Sequence, residues 1–158
     1  FVSKIEDNEG NVLATFQPRM SEVISAESAN KMLVLLQEVV DRGTAGRLRF
    51  KYTIDGEIGA KTGTTNRNSD AWFMGFTPQL VSGCWVGGED RDIHFDSMRM
   101  GQGATMALPI WANFMKRVYK DASLGYKPDA SFGLPEGYNP CARDNQDVDE
   151  FGIDEVYE

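Results

Sequence analysis

The sequence has 158 residues, enough for one domain or a part of one with a buried core. It contains 16 Lys and Arg against 24 Asp and Glu, and the resulting net charge of −8 argues against a nucleic-acid partner. No apolar run approaches the roughly 18 residues that a transmembrane helix requires. The chain starts at Phe1 without a targeting segment, so we expect it to be part of a longer protein.

The first third of the chain predicts a hairpin and a helix. β-prone runs at residues 1–5 and 12–16 flank a turn rich in Asp, Asn and Gly, which is typical of a hairpin. Residues 26–42 carry apolar side chains at three- and four-residue steps, the pattern of an amphipathic helix, with Ser25 as N-cap and Gly43 as the stop. Residues 47–52 are then expected to form a basic connector.

Residues 57–87 predict three strands, of which the first leads into Lys61 and the others cover residues 71–76 and 80–86. A short turn joins the last two and favours antiparallel pairing. Gly83, inside the third strand, indicates close packing over it. After a polar loop at residues 88–103, residues 104–121 predict a second helix. The predicted fold class is α/β of the α+β type, an antiparallel sheet packed by helices.

The last part of the chain loses all periodicity and becomes acidic. Residues 141–158 hold seven acids and one base, and we expect an acidic, partly disordered tail at residues 136–158 after a domain at residues 1–135. The run that begins at Asp144 resembles a calcium loop but lacks its central Gly, so we interpret it as a solvated tail. Cys84 and Cys141 make neither a metal set nor a disulfide framework, and their redox state stays open.

The run Lys61-Thr62-Gly63-Thr64-Thr65 is the part of the sequence that points to chemistry. Side chains alternate along a strand, so Lys61 and Gly63 face one side, and Thr62 and Thr64 face the other. A glycine lets a ligand approach the backbone, and an ammonium, hydroxyls and free edge N–H groups together suit a carboxylate. The alternative is an edge strand whose solvated Lys protects against aggregation. These five residues alone leave both interpretations open.

The wider context resembles one family. Lys61-Thr-Gly-Thr-Thr, Asp70-Ala-Trp-Phe-Met-Gly, Leu80-Val-Ser-Gly-Cys-Trp and Gly101-Gln-Gly-Ala follow in an order similar to the C-terminal half of the transpeptidase domain of class A (bifunctional) penicillin-binding proteins, over about residues 1–135. The resemblance implies part of a penicillin-binding or serine β-lactamase-like fold. It also implies a D,D-transpeptidase that crosslinks peptidoglycan stem peptides through a serine acyl-enzyme and binds β-lactams. No cofactor or metal is implied.

The resemblance also implies roles for single residues. Lys61 would supply positive charge near the nucleophile and the substrate carboxylate, and the N–H of Thr64 would be one of two oxyanion-hole donors. These two residues are the catalytic candidates. Thr62, Gly63, Thr64 and Thr65 are the substrate-binding candidates, with the hydroxyls of Thr62 and Thr64 on the carboxylate. The parent protein would work outside the cytoplasmic membrane, joined to a glycosyltransferase and held by an N-terminal anchor.

The sequence departs from the family in its nucleophile. The Ser-x-x-Lys and Ser-x-Asn motifs precede this region in the family. Ser28-Ala-Asn-Lys31 matches both, but one Ser cannot serve two walls of a site, so we interpret the match as coincidence. We therefore expect the chain alone to be inactive, and its exposed sheet to meet the rest of the domain or a second copy.

Two alternatives remain open. A serine β-lactamase relative shares the Lys-Thr-Gly strand, although the Thr-Thr-Asn continuation favours the transpeptidase. A non-catalytic interaction module would instead use the acidic tail as its working surface. The sole His, His94, is expected to be a loop residue rather than the base of a Ser-His-Asp relay.

Overall fold

A computed structural model describes residues 2–17 and 21–141 of the chain. The predicted strands and helices appear in the expected order, together with two short helices, α2 and α3, that the sequence did not predict: β1 (Lys4–Glu6), β2 (Val12–Thr15), α1 (Ala26–Asp41), α2 (Arg47–Phe50), β3 (Gly59–Thr64), β4 (Asp70–Phe76), β5 (Val81–Gly87), α3 (Met98–Gly101) and α4 (Gly103–Lys120). Residues 142–158, most of the expected acidic tail, lie outside the described residues. The division at residue 135 therefore stays a prediction.

The hairpin and the first helix confirm the sequence prediction. β1 and β2 pair antiparallel, and the Asp7 carboxylate closes their turn by accepting hydrogen bonds from the backbone N–H groups of Glu9 and Asn11, both at 2.9 Å. Ser25 caps α1, because its hydroxyl accepts a hydrogen bond from the N–H of Ser28 at 3.2 Å. The hydroxyl thus satisfies one of the N–H groups that the first turn of α1 leaves without an intrahelical partner.

The expected basic connector contains a one-turn helix, α2. Four residues are too few for a periodic pattern, so the sequence carried no signal for it. Leu48 is fully buried in the core, while Arg49 donates hydrogen bonds to the carboxylate of Asp41 at 2.9 Å and to the carbonyl of Ile54 at 2.8 Å. The turn is therefore held to α1 on one side and to the segment before β3 on the other.

Strands β3, β4 and β5 form one antiparallel sheet in that spatial order. Lys61 lies opposite Met74, and Gly63 lies opposite Trp72. Because directly paired residues share a face, the register sorts the sheet into two surfaces. The helix face packs against α1 and α4 and buries the alternate residues of β4. The open face carries half-exposed apolar side chains, namely those of Trp72, Met74, Val81 and Trp85.

The core lies between the helix face and α4, with Trp111 at its centre. The Trp111 ring lies 5.2 Å from that of Phe73, and its indole N–H donates a 2.7 Å hydrogen bond to the Ser82 hydroxyl. A Cβ on Gly75 would lie 2.5 Å from the Trp111 ring, so the ring packs directly on the β4 backbone. Smaller side chains complete the core: Val40, Ala45, Leu48, Ile54, Ile58, Ala60, Ala107, Leu108, Ala112 and Met115.

Two details describe the packing on the open face, and the first confirms a prediction made from the sequence. A Cβ on Gly83 would lie 2.5 Å from the sulfur of Met74, which confirms the predicted close packing over this glycine. Two of the three tryptophans also lie on the open face. Only Trp111 is buried, whereas Trp72 and Trp85 remain 46% and 48% exposed.

The segment after α4 is more structured than its composition suggests. Residues 126–138, here named the C-terminal strap, run back along the sheet. The Glu57 carboxylate accepts hydrogen bonds from the Ser131 hydroxyl at 2.8 Å and the Phe132 N–H at 2.6 Å. The ring of Phe132 packs edge-on against Phe76 at 5.7 Å, and the Tyr138 hydroxyl reaches the carbonyl of Glu27 at 3.4 Å. Across residues 2–17 and 21–141, no helix has the length and apolarity to cross a membrane.

Candidate functional site

The candidate residues lie on β3, the outer strand of the three-stranded sheet. The Thr65 N–H donates to the carbonyl of Asp70 at 3.1 Å, so alternation along an antiparallel pair directs the odd-numbered backbone groups of β3 towards β4. The N–H groups of Thr62 and Thr64 then point to the other edge. In the described part of the chain no strand pairs with that edge, which leaves these donors available.

Lys61 and Gly63 lie on the open face, as the alternation predicted. The Lys61 side chain is exposed, and its ammonium donates a 2.7 Å hydrogen bond to the carbonyl of Thr62. The charge is thereby held beside the free edge of β3. A Cβ on Gly63 would lie 3.2 Å from the Cβ of Trp72, so the missing side chain leaves the strand flat next to the lysine.

The hydroxyls of Thr62 and Thr64 lie on the helix face and have specific partners. Thr62 shares a hydrogen bond of 3.0 Å with the hydroxyl of Thr44, in which either can be the donor. Thr64 accepts a hydrogen bond of 3.1 Å from the backbone N–H of Gly103, at the start of α4. Because that N–H is the donor, the Thr64 proton remains free to be donated to another acceptor. Thr64 is exposed, so such an acceptor can come from solvent.

Thr65, the last substrate-binding candidate, is engaged in the turn between β3 and β4. Its hydroxyl accepts from the N–H of Asp70 at 3.0 Å and bonds to the hydroxyl of Ser69 at 3.0 Å. Arg67 and Asn68 within this turn both have positive φ, 63° and 56°. Such backbone conformations are costly for residues other than glycine, so surrounding contacts must hold them. The structure therefore gives Thr65 a structural task directly after β3.

The start of α4 supports β3 from behind. A Cβ on Gly103 would lie 2.6 Å from the carbonyl oxygen of Gly63 and 2.5 Å from that of Trp72, so the helix begins in direct contact with the sheet backbone. The positive end of the 18-residue helix dipole is thereby placed under the Lys-Thr-Gly run. Together with the Lys61 ammonium, it favours negative charge at this edge of the sheet.

Reasoning from the sequence missed Thr44 and Gly103 as members of the site. Gly103 stands in the Gly101-Gln-Gly-Ala motif, which the sequence offered only as a point of resemblance, and Thr44 directly follows the Gly43 that ends the first helix. Nothing local at either residue indicates contact with β3. The glycines next to the start of a helix were the available signal, because glycine in such a place often allows close approach of two backbones.

The Ser28 motif has a local structural role. Ser28 lies in the first turn of α1, where its hydroxyl accepts a 3.1 Å hydrogen bond from Ser25. Lys31 forms an ion pair with Glu27, one turn away on the same helix. These contacts agree with the interpretation of Ser28-Ala-Asn-Lys31 as a coincidental match. Within residues 2–17 and 21–141, no three His, Cys, Asp or Glu side chains are grouped as metal ligands would be.

Comparison with known proteins gives one consistent result. The penicillin-binding protein 1A of Aquifex aeolicus is 36% identical over 135 residues, which covers 85% of this chain and 17% of that protein. The penicillin-binding protein 1A of Pseudomonas aeruginosa is 38% identical over 125 residues, 78% of this chain and 14% of its own length. The crystal structure of penicillin-binding protein 1A from Haemophilus influenzae superposes with a TM-score of 0.62 at 26% identity, over 85% of this chain and 24% of that one.

The chain is homologous to one segment of the penicillin-binding proteins 1A. This confirms the resemblance seen in the sequence to the class A members, and the superposition confirms the predicted fold of antiparallel sheet and helices. No protein-family model matches the chain. The chain spans about 17% of the length of the first of these penicillin-binding protein 1A relatives, so it corresponds to one segment of such a protein.

Proposed function

We propose that this chain forms the Lys-Thr-Gly wall of a peptidoglycan D,D-transpeptidase site that also binds β-lactams. The observation that carries the proposal is the outer edge of β3, with which no strand of the described residues pairs. There an exposed ammonium, the N–H groups of Thr62 and Thr64, and the Thr64 hydroxyl lie together over the start of α4. The relatives named penicillin-binding protein 1A support the same reaction class. The parent protein works on the outer side of the cytoplasmic membrane, where stem peptides are crosslinked.

The arrangement suits a donor peptide with a terminal carboxylate. A strand of substrate that lies along β3 pairs with the N–H and carbonyl groups of Thr62 and Thr64. Lys61 and the Thr64 hydroxyl are placed to attract the carboxylate, and the N–H of Thr64 is placed to stabilise an oxyanion. The Thr62 hydroxyl can donate to substrate only if Thr44 is the donor in their shared hydrogen bond or if that bond opens. We therefore assign the carboxylate chiefly to Lys61 and Thr64.

The reaction also needs a serine nucleophile with its own lysine. We propose that this group and the other walls come from residues of the penicillin-binding protein outside this chain, and that the open face of the sheet receives them. A second copy of the chain on that face is the alternative occupant. A serine β-lactamase is less well supported, because the relatives are penicillin-binding proteins 1A. A non-catalytic interaction module would not account for the Lys61 ammonium, the N–H groups and the Thr64 hydroxyl that lie together at β3.

The first test is to incubate the purified chain with a fluorescent penicillin and measure its intact mass. We expect no adduct, because Ser28 serves the cap of α1. A covalent adduct on this chain would identify a serine in these residues as an active nucleophile. Ser28 would then be the first candidate for the nucleophile, and the proposal that the nucleophile comes from outside this chain would be wrong.

The second test examines the wall itself. In the penicillin-binding protein 1A of Aquifex aeolicus, the matching segment is replaced by residues 1–135 of this chain, and the rate of labelling by fluorescent penicillin is measured. We expect Lys61→Ala to lower that rate about 100-fold or more, because a preorganised charge at the reacting group is lost. Lys51→Ala is the matched control, since Lys51 lies over the Tyr52 ring, and it should label at the parental rate. Equal labelling rates for both variants would show that Lys61 is not part of the site.

A further inference from the structure

A cavity of about 350 Å³ lies at the far end of the sheet, where β5 ends, the loop at residues 88–97 folds back and α4 begins. Val86, Ile93, Phe95 and Met106 form most of its wall, while Ser69 and His94 contribute the polar groups. Most of the lining is therefore apolar. The volume falls at the lower end of the range for small-molecule sites in proteins.

The walls of this cavity are held in place by close contacts. A Cβ on Gly88 would lie 2.8 Å from the Cβ of Ile93, so only a glycine lets the loop pack on the end of β5. Asn68 donates from its side-chain amide to the carbonyl of Phe95 at 3.1 Å, and the Phe95 N–H donates back to the Asn68 carbonyl at 3.4 Å. A Cβ on Gly101 would lie 2.5 Å from the Cβ of Asn68. The cavity is thus preformed, which lowers the cost of ordering on binding.

The polar groups indicate what such a ligand carries. The Ser69 hydroxyl is already engaged with Thr65 and with the carbonyl of Asn66. The His94 imidazole is then the one polar side chain of the lining that is open to a ligand, with Asp96 4.0 Å away. The loop holds four acids against two bases over residues 89–99, so its charge disfavours an anion. An apolar wall with one hydrogen-bonding group at the rim suits a neutral molecule.

We propose that this cavity binds a small neutral ligand, aromatic or branched aliphatic, with one hydrogen-bonding group that faces His94. A ligand of about eight to twelve non-hydrogen atoms fits the volume. This ligand differs in charge from the carboxylate proposed for Lys61, so the two sites do not compete for the same molecule. The Ser69 and Thr65 hydroxyls, 3.0 Å apart, connect the cavity to the residue that follows Thr64. A ligand bound in the cavity is therefore expected to change the surroundings of the end of β3.

The test uses 4-fluorophenol as the probe and ¹⁹F NMR of the full chain as the readout. We expect saturable binding with a Kd of about 1 mM or tighter, as the efficiency of small ligands allows. Met106→Trp fills the cavity and should weaken binding at least about tenfold, whereas Met100→Trp, on the exposed face of α3, should leave it unchanged. Should Met106→Trp fail to fold by circular dichroism, Ile93→Trp decides, because Ile93 is 60% exposed.

Three further results separate this site from the proposed Lys61 wall. Lys61→Ala should bind 4-fluorophenol as the parent does, and the anion 4-fluorobenzoate should bind at least about tenfold more weakly to the cavity. Binding should also shift the amide signals of Thr64 and Thr65. The proposal is overturned if 4-fluorophenol shows no saturation, if Met100→Trp weakens it as much as Met106→Trp, or if Lys61→Ala abolishes it. Equal affinity for 4-fluorophenol and 4-fluorobenzoate would also contradict the proposal. So would amide signals of Thr64 and Thr65 that do not shift when 4-fluorophenol binds.

Discussion

At the scale of single residues, the two cysteines illustrate how much surroundings matter. Both are free thiols. Cys84 lies on the helix face of β5, opposite Phe73 and packed against the core, and burial raises the pKa of its thiol. Cys141 is exposed at the end of the described chain. Since the thiolate is the reactive form, the raised pKa and the limited access of Cys84 both lower the rate at which its thiol reacts.

We therefore expect iodoacetamide at pH 7.5 to modify Cys141 at least about tenfold faster than Cys84. Intact mass and peptide mapping over time would show one fast and one slow adduct. Cys141→Ser should lose the fast phase and retain the slow one. Equal rates at the two positions would mean that β5 opens readily, and the packing of Cys84 described above would be wrong.

At the scale of elements, the junction between α4 and β3 is the feature on which the proposed site depends. Gly103 brings the first turn of α4 into contact with the backbone of Gly63, and its N–H fixes the acceptor side of the Thr64 hydroxyl. A change at this contact moves the site without touching any residue of the Lys-Thr-Gly run.

Gly103→Ala should destabilise the chain by about 1–3 kcal/mol, because its Cβ would overlap two backbone carbonyls that cannot rotate away. Urea unfolding followed by circular dichroism measures the loss. Gly46→Ala is the control, since the nearest atom to its Cβ would be 3.3 Å away, and its change should stay within about 0.5 kcal/mol. The same loss at Gly46 would show that the α4–β3 contact has no special tightness.

The C-terminal strap yields a second prediction at this scale. Glu57→Ala removes the acceptor of two strap hydrogen bonds, so chymotrypsin should cleave after Phe132 about tenfold faster, while the core remains folded. Limited proteolysis followed by mass spectrometry measures the rate. Glu89→Ala removes the same charge from an exposed loop and should cleave as the parent does. An unchanged rate in Glu57→Ala would mean that other contacts hold the strap.

The elements themselves were predictable because their signals are local. The 3.6-residue period of α1 and α4 and the alternation along β3 to β5 are each contained in one short window of sequence. The partners of the site residues are not. Thr62 meets Thr44 across 18 residues, Thr64 meets Gly103 across 39, and Glu57 meets Phe132 across 75. Only the folded chain, or a known relative, supplies such pairs.

At the scale of the whole molecule, helices cover only one face of the sheet in the described part of the chain. Its open face presents Trp72, Met74, Val81 and Trp85. The outer edge of β5, Val81–Gly87, contains no Lys and no Pro in seven residues. Natural edge strands normally carry such residues to prevent pairing with other chains. Both features indicate a surface that is covered when the protein works.

We expect the isolated chain to self-associate at concentrations of about 100 µM, because nothing in residues 2–17 and 21–141 covers its apolar face and the outer edge of β5. Light scattering coupled to size-exclusion chromatography measures the mass. Val81→Lys with Trp85→Lys should restore the monomer. Val23→Lys, which changes a residue that is 84% exposed and lies outside the strands, should not. A clean monomer of the parent chain at this concentration would count against the association surface.

The strap has a consequence for the order of folding. Its contact between Tyr138 and Glu27 joins residues 111 positions apart, and its clasp at Glu57 needs β3 to be nearly in place. Contacts of such long range pay the largest cost of loop closure, and domains fold from the N-terminus as they leave the ribosome. We therefore expect the strap to dock last, after the sheet and α4 have formed. Until the strap has left the ribosome and docked, Phe132 does not cover the ring of Phe76, so we expect a nascent chain at that stage to offer this ring to a chaperone.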